Sequence, residues 1–405
     1  MDSHVLDTIN PRTVGSRLRE ARSARGLTQQ AVADHLGVAR TTVTAIEKGE
    51  RRIKPSELIR LASLYGRSVG EFLRRGEPVE AFAVQLRATL DSVLQQEDAE
   101  LIPHLSEFQR LCEDYLELER LCGSPLSRRY PPPYDIGGTT PEVAAEDVAN
   151  SERNRLGIGD GPILNLRELL GSDVGLRVFY IDLPSRIAAM FAYTEELGGC
   201  IAVNRNHPEE RRRHSIGHEF GHFLTKRFQP EIILFGRYQR QPEHERFAEA
   251  FARAFLMPAA GLSRRFHQLQ RSRDGRITPA DLCTLAHFYF VSVEALSRRL
   301  EELKLLPMGT WDRLREAGFR VREAQEILQL PERRGLDQLL PMRYMYLAAE
   351  AYARGDLSEG QFARYLRTDR IEARRIAAEL TDGELLSDEG TTGTLSLDLA
   401  ETLNE

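Results

Sequence analysis

The spacing of hydrophobic residues predicts a bundle of short helices near the start of the chain. Over residues 13–76, apolar side chains recur every three or four positions, as on a helix with one buried face. Thr28 stands where it can cap a second helix, and Gly26 and Gly37 each stand where a helix ends. Pro55 opens a fourth helix. The pattern therefore predicts five helices joined by sharp turns.

A different pattern follows over residues 80–122. Apolar residues there recur at alternating spacings of four and three and form a short heptad-like seam of Leu101, Leu105, Phe108, Cys112 and Tyr115. Such a seam is typical of a helix that pairs with a second chain, which would make this a dimerisation segment. An ordinary helix packed within its own domain gives the same pattern, because the seam covers barely two heptads. Both interpretations stay open.

Prolines mark a break in the chain after this seam. Residues 123–141 hold five of the 19 prolines and three of the 30 glycines, and they predict an extended interdomain linker. Residues 142–306 then change from a helical pattern to a strand-like one and back. The predicted strands cover residues 176–181, 187–193 and 200–204.

The end of the chain contains two further segments. Residues 307–381 continue the helical pattern as a C-terminal helical region, and residues 382–405 hold seven acidic and no basic residues, which predicts a loose tail. The predicted fold is therefore multidomain and mainly α with an α+β core. A helical bundle comes first, and a domain with a small sheet follows it.

Composition restricts the class of protein. With 405 residues, of which 41% are hydrophobic, the chain suits two or three domains and is too apolar to be mostly disordered. It contains no run of 18 apolar residues, so no membrane span is expected, and residues 1–10 lack a signal-peptide pattern. Its four cysteines form no Cys-x-x-Cys pair, which fits a reduced, cytoplasmic protein.

Charge is divided unevenly along the chain. The total is -6, but residues 1–75 contain 14 Lys and Arg against 8 Asp and Glu, a net charge of +6. The rest of the chain therefore carries -12. A basic head on an acidic body indicates that a nucleic acid binds near the N-terminus.

The motif with the clearest chemistry is His218-Glu219-Phe220-Gly221-His222. On a helix, residues four apart lie on one face, so both imidazoles can reach one metal ion. Glu219 would then lie beside that ion, where its carboxylate can take a proton from water. The spacing therefore predicts a metal-dependent hydrolytic site.

A third ligand follows 23 residues after His222. Glu245 opens a second helical pattern, in which small alanines near the glutamate permit a close approach to the first helix. Two histidines and a carboxylate, with one position left for water, are a ligand set of catalytic zinc. His244 is a rival ligand by adjacency, although its side chain points about 100° away around the helix.

These residues resemble the ImmA/IrrE family of zinc metallopeptidases, whose fold is a minimal gluzincin fold. The resemblance spans about residues 142–260 and rests on four motifs: Gly175-Leu-Arg-Val178, Ile201-Ala-Val-Asn204, the run from Arg211 to His222, and Phe255-Leu-Met-Pro258. It implies a Zn²⁺ ion as cofactor, with His218, His222 and Glu245 as ligands and Glu219 as the general base.

Two positions depart from that family's usual pattern. His214 stands where an aromatic or aliphatic residue is usual, and Glu249 stands where asparagine is usual. Glu249 could accept a hydrogen bond from a zinc-bound histidine, or its charge could retune the site. Candidates for stabilising an oxyanion are Tyr238 and His244. Residues 225–242 could form a lid or substrate edge, or a plain connector.

Residues 13–73 resemble the XRE/Cro-like helix-turn-helix family. The matching runs are Leu27-Thr-Gln-Gln-Ala-Val-Ala-Asp-His-Leu-Gly-Val38 and Thr42-Val-Thr-Ala-Ile-Glu-Lys-Gly49. In this fold the second helix of the motif enters the major groove of DNA, so a double-stranded operator is the expected partner. The candidate DNA contacts are Gln29, Arg40, Thr41, Thr42, Thr44, Lys48, Arg51, Arg52 and Lys54. The alternatives are a basic bundle that binds protein, and Thr41 and Thr42 acting only as helix caps.

Together these patterns predict a cytoplasmic, homodimeric regulator that joins a sequence-specific DNA-binding head to a zinc-dependent endopeptidase. The expected substrate is a regulatory protein of the repressor or antitoxin type, or the chain itself at its proline-rich linker. No membrane partner is expected. The alternative is a transcription factor whose metal domain senses a ligand or zinc without cleaving anything, and an interaction scaffold without metal is a third possibility.

Overall fold

The computed structural model describes residues 10–66, 69–73, 101–228, 231–234, 243–331, 339–381, 384–386 and 392–394. The chain forms two compact units, Met1–Gln109 and Arg110–Glu405. No described helix combines the length and the apolar character that crossing a bilayer requires.

The first unit contains the five predicted helices, which are α1 (Pro11–Ala24), α2 (Gln29–Leu36), α3 (Arg40–Glu47), α4 (Pro55–Tyr65) and α5 (Val69–Phe72). Thr28 caps α2, because its hydroxyl oxygen accepts a hydrogen bond from the Ala31 N–H at 3.1 Å. Gly37 ends α2 in the left-handed conformation, with φ of +71°. Helix α1 begins slightly before residue 13, because Asn10 caps it. The local signals in the sequence therefore placed these helices correctly.

Helix α6 (Ile102–Cys122) carries the heptad-like seam, and the five seam residues are buried. The ring of Tyr115 packs edge-on against Phe179 and Tyr344, at centroid distances of 6.1 and 5.3 Å. Tyr115 thus lies in the core of the second unit, which fits the interpretation of a helix packed within its own domain. The dimerisation segment stays a prediction, and residues 80–100 lie outside the described residues.

The proline-rich segment 123–141 does not form a free spacer. The Arg129 N–H donates to the Val174 carbonyl at 3.0 Å, and the Tyr134 N–H donates to the Leu224 carbonyl at 2.8 Å. The Tyr130 hydroxyl donates to the Gly175 carbonyl at 2.9 Å. The segment is irregular, as its prolines predict, but these bonds hold it against the second unit. The prediction of an interdomain linker is therefore wrong.

A four-stranded sheet lies at the centre of the second unit, formed by β1 (Arg177–Ile181), β2 (Ile187–Thr194), β3 (Gly198–Asn204) and β4 (Glu231–Leu234). Its order is β1-β3-β2-β4, in which β1 and β3 are parallel and the other pairs are antiparallel. The three predicted strands are confirmed. Strand β4 falls in the segment 225–242, which was predicted only as a lid, an edge or a connector.

Helices cover the sheet and share one hydrophobic core with it. They are α7 (Pro141–Arg155), α8 (Leu166–Leu169) with a π-helical turn at Leu170–Val174, α9 (Glu209–Lys226) and α10 (Glu243–Leu256). Helix α9 packs on β2 and β3, and α10 packs against both α9 and α7. The core extends from Ala144 on α7 to Trp311. Helix α9 is thus held between the sheet and α10, which fixes the side chains on both of its faces.

The remaining helices follow in order: α11 (Ala259–Ser272), α12 (Pro279–Tyr289), α13 (Val293–Glu302), α14 (Thr310–Glu316), α15 (Val321–Ile327), α16 (Met342–Ala353), α17 (Glu359–Tyr365) and α18 (Arg370–Thr381). Two short strands, Glu384–Leu386 and Thr392–Thr394, pair antiparallel. They fall within the predicted tail, residues 382–405, most of which lies outside the described residues. The helical C-terminal region is therefore as predicted, and the tail contains a short hairpin.

Candidate metal centre and helix-turn-helix surface

Two facing helices position the candidate metal ligands. Helix α9 presents His214, His218 and His222 at intervals of four residues, and α10 presents Glu245 and Glu249 at the same interval. Residues four apart lie on one face of a helix, so each helix carries a row of donor groups toward the other. The two rows meet because small residues line the contact between the helices.

The small residues include the glycine inside the His-Glu-x-x-His motif. A Cβ atom placed on Gly221 would lie 3.1 Å from the Ala248 Cα, and one on Gly217 would lie 3.3 Å from the Ala252 Cβ. These separations are shorter than the 3.5–4.0 Å at which carbon atoms usually meet. The glycines of α9 and the alanines of α10 thus allow the close approach that the sequence predicted.

The structure brings the three predicted ligands together. The Nε2 atoms of His218 and His222 lie 2.9 Å apart. The Glu245 carboxylate lies 3.4 Å from His218 Nε2 through one oxygen and 3.3 Å from His222 Nε2 through the other. Two tetrahedral ligands, each about 2.1 Å from zinc, lie about 3.4 Å apart. The three side chains therefore fit a zinc ion, with the two histidines slightly closer than ideal.

Glu219 lies next to this group and is completely buried, with 0% of its surface exposed. Its negative charge acts on His218 and raises the pKa of that imidazole. A carboxylate buried beside a metal site can act as a general base. It can accept a proton from a water molecule within the site, and its burial keeps bulk water away from it. The predicted position of Glu219 beside the ligands agrees with this electrostatic coupling.

The electrostatics of the group favour a bound cation. Burial lowers the pKa of His218, but the carboxylates of Glu245 and Glu249 outweigh burial and raise it to about 10. Burial and the positive charge of His218 together hold the pKa of His222 well below its ordinary value. The surroundings thus stabilise one positive charge and oppose a second proton. A cation held by neutral imidazoles satisfies both conditions.

Glu249 joins the ligands to a wider network. Its Oε2 lies 2.9 Å from His214 Nε2 and 3.5 Å from His218 Nδ1, and its Oε1 accepts a hydrogen bond from Arg253 at 2.6 Å. Partial burial raises the pKa of Glu249, but His214, His218 and Arg253 hold it well below its ordinary value. The carboxylate is therefore ionised beside Nδ1, where it can orient the ring of His218.

The other candidates of this site lie at its edge or beyond the described residues. His244 Nε2 is 3.9 Å from the nearest Glu245 oxygen, and its ring centroid is 6.1 Å from that of His222. Among the described residues, the group that contains both motif histidines is His218, His222 and Glu245, without His244. Tyr238 lies outside the described residues, so its role as an oxyanion donor stays a prediction.

The helix-turn-helix surface is formed by α2, α3 and the turn after α3. Arg40 and Thr41 are exposed, and Thr42 and Thr44 are half-buried on the same helix. Ala39 is the N-cap of α3, so Thr41 and Thr42 are inside the helix and do not cap it. That alternative is wrong. Their position leaves Arg40 and Thr41 exposed on the helix that the motif assigns to the major groove.

The remaining candidate DNA contacts differ in how they are held. Lys48 and Arg52 are exposed on the turn that follows α3. Arg51 instead forms a two-pronged ion pair with Glu57, at 2.9 and 3.2 Å. Part of the charge of Arg51 is therefore offset within the protein, and the exposed Lys48 is the stronger candidate for a phosphate contact.

A buried ion pair fixes Gln29 at the start of α2. Arg22 pairs with Glu47 at 2.6 Å, and the Gln29 side-chain amide donates to Glu47 at 2.9 Å. The Thr44 hydroxyl donates to Oε1 of the Gln29 side chain at 3.2 Å. Gln29 and Thr44 are thus held in place before any DNA binds. The sequence does not mark Arg22 and Glu47 as buried, because charged residues of these types have no local pattern that predicts burial.

Comparisons with known proteins agree with this architecture. Residues 13–74 match the model of a helix-turn-helix domain, and residues 172–301 match the model of the M78 peptidases, described as an IrrE N-terminal-like domain. No curated protein matches the chain.

The chain is also similar to two solved structures. One is PlcR from Bacillus thuringiensis in complex with the peptide PapR7 and DNA, at 13% identity and a TM-score of 0.17, covering 92% of this chain and 95% of that one. The other is ComR from Streptococcus suis, at 11% identity and a TM-score of 0.16, covering 92% and 89%. By the two family models, the chain contains an XRE-like helix-turn-helix domain followed by an IrrE N-terminal-like domain of the metallopeptidase type.

Proposed function

We propose that the chain is a cytoplasmic DNA-binding regulator whose second unit is a zinc-dependent endopeptidase. One observation carries the proposal: the side chains of His218, His222 and Glu245 converge at zinc-ligand separations, beside the fully buried Glu219. This donor set leaves a coordination position for water or substrate, as hydrolytic sites require. The match of residues 172–301 to a peptidase family supports the same reaction class.

The residues of the chain have distinct parts in this chemistry. His218 and His222 would hold the ion through Nε2, and Glu245 would hold it through its carboxylate. Zinc held there would supply Lewis-acid chemistry toward a peptide carbonyl and toward water. Glu219 takes the proton of the attacking water and passes it to the amide nitrogen that leaves. Glu249 accepts from His218 Nδ1, which fixes the direction of the ring.

The first unit supplies the location of the reaction. A helix-turn-helix domain with exposed Arg40, Lys48 and Arg52 suits a double-stranded operator, and the protein would then act on a repressor or antitoxin bound nearby. Self-cleavage within residues 123–141 is less favoured, because Tyr130 and Tyr134 hold that segment in hydrogen bonds. An endopeptidase needs an extended chain in its site, so this segment would have to open first.

The test is co-expression of the chain with regulatory proteins encoded by neighbouring genes, followed by a search for fragments. Wild type is expected to cleave its target, and Glu219→Gln is expected to bind zinc and leave the target intact. Glu243→Gln is the matched control, because Glu243 is exposed on the first turn of α10. Equal cleavage by wild type and zinc-loaded Glu219→Gln would overturn the catalytic role.

The same variants distinguish a regulator that only senses metal. In that case Glu219→Gln leaves regulation of a reporter operator intact, whereas His218→Ala abolishes it. If the chain is a peptidase, both variants lose regulation, because both lose cleavage. A zinc content near zero in the purified wild-type chain would exclude both functions.

A further inference from the structure

A second group of metal-binding side chains lies one helical turn from the first. It consists of His214, His218 and Glu249, whose donor atoms all lie within 4.8 Å of one another. Glu249 Oε2 is 2.9 Å from His214 Nε2 and 3.5 Å from His218 Nδ1. The two groups share His218 but use different nitrogens of its ring, since Nε2 faces Glu245.

We propose that this second group binds a second divalent transition-metal ion, with zinc as the most suitable. Two imidazoles and one carboxylate are the same donor set as in the first group, and this set suits zinc. Ligand atoms about 2.1 Å from one ion lie about 3.4 Å apart at the tetrahedral angle. The separations of 2.9 and 3.5 Å from Glu249 bracket that value, and the nitrogens of His214 and His218 lie within 4.8 Å of each other, so the three donors can converge on one ion.

Exposure gives the second ion a route to its ligands. The side chains of His214 and Glu249 are 27% and 38% exposed, whereas His218 and His222 are 8% and 1% exposed. An ion can therefore reach the second group from solvent and keep water molecules as its remaining ligands. The two groups thus differ in access to solvent, although each has two imidazoles and one carboxylate.

Two features make the second ion bind more weakly than the first. The guanidinium of Arg253 lies 2.6 Å from Glu249 and opposes another cation, although Glu302 at 2.8 Å offsets part of its charge. His218 must also serve both ions, and it then gives up its Nδ1 proton to solvent. The first group therefore fills first, and the second fills only when metal is in excess.

Occupancy of the second group has a consequence that rests on the proposed function. The ion draws Glu249 away from its hydrogen bond to His218 and adds a positive charge one turn from the reaction centre. Peptide cleavage should then fall as zinc rises beyond one ion per chain. The pair His214 and Glu249 would act as a zinc-responsive inhibitory site.

The test measures bound zinc per chain directly. Metal-free full-length protein is dialysed against excess Zn²⁺ and against a limiting concentration, and zinc is counted by mass spectrometry. Wild type is expected to bind two ions in excess zinc and one at limiting zinc, and His214→Ala is expected to bind one in both. His267→Ala is the matched control, because His267 is exposed on α11, and it should still bind two.

A second, near-isosteric variant tests the same prediction if His214→Ala does not fold. Glu249→Gln is expected to bind one ion, with circular dichroism confirming its fold. One ion in wild type under excess zinc, or two ions in both variants, would overturn the proposal. Metal counting is independent of catalysis, so a chain that binds two ions and cleaves nothing keeps this inference and refutes only the proposed peptidase.

Discussion

Substituting Gly221 by alanine should weaken the metal centre with little loss of overall stability. The added Cβ would lie 3.1 Å from the Ala248 Cα and 3.1 Å from a ring carbon of Phe251. Because carbon atoms usually meet at 3.5–4.0 Å, α9 and α10 must separate by a few tenths of an ångström. Overpacking of this kind costs about 1–3 kcal/mol, whereas alanine in place of glycine gains about 1 kcal/mol within a helix.

The strain should appear mainly in zinc affinity. Glu245 belongs to α10 and His218 to α9, so a wider spacing moves the carboxylate away from the imidazole, which it approaches at 3.4 Å. The metal-free chain can relax by separating the helices, but the zinc-bound chain must bring them together again. If the net strain is about 1.4 kcal/mol, the dissociation constant of zinc rises about tenfold.

The assay is a zinc titration against a competing chelator, combined with thermal unfolding of the metal-free protein. Gly360→Ala is the matched control, because Gly360 also lies in a helix but its nearest contact is the flexible end of Arg370, at 3.3 Å. Its zinc affinity should equal that of wild type. An unchanged zinc affinity in Gly221→Ala would refute the claim that this glycine sets the spacing of the ligands.

Three further predictions concern the first unit. Lys48→Gln should reduce the magnitude of the slope of log DNA affinity against log salt concentration by about 0.9, because Lys48 is exposed beside α3. Fluorescence anisotropy on operator DNA measures this slope, and an unchanged slope would exclude the phosphate contact. Glu47→Gln should lower the free energy of unfolding of the first unit by about 3 kcal/mol, because Arg22 then keeps a mostly buried charge without its ionised partner. Urea unfolding measures this loss, and a loss below about 1 kcal/mol would contradict the prediction. The pKa of Glu57 is lowered from 4.5, since Arg51 and the Lys54 N–H outweigh the effect of burial. The ionised Glu57 therefore stabilises the folded unit above pH 4.5, and this stabilisation is lost as the pH falls through the lowered pKa. Glu57→Gln should reduce the free energy of unfolding by about 1 kcal/mol at pH 7 and by less at pH 3. An equal reduction at both pH values would contradict this role of Glu57.

Local signals in the sequence were sufficient for most of the helices and for the metal ligands. Thr28 and Gly37 mark the ends of α2 by bonds and dihedral angles that involve only near neighbours. The metal site combines one helical period, from His218 to His222, with a carboxylate 23 residues later. The periodicity of the sequence predicts both helices, and the small residues on their facing sides predict that the two helices pack together.

Long-range contacts explain what the sequence did not predict. The segment 123–141 reads as a spacer from its prolines, but the partners that hold it, Val174, Gly175 and Leu224, lie 45 to 90 positions away. Strand β4 is four residues long, and its position depends on the edge of β2 rather than on its own pattern. Such contacts leave no periodic trace, so composition alone favoured the wrong interpretation.

The C-terminal helices belong to the same folding unit as the metal centre, because they complete a buried charge network beneath the sheet. Arg177 on β1, only 1% exposed, pairs with Glu119 on α6 at 2.8 Å, and Arg343 on α16 reaches the same carboxylate at 3.2 Å. Removing one partner of a buried pair costs about 3–5 kcal/mol. Strand β1 pairs with β3, and β3 supports α9, which carries His218 and His222. Loss of α16 would remove one of the two cations that pair with the buried Glu119 and so weaken the sheet under the metal ligands, which makes α16 part of the scaffold of the candidate site.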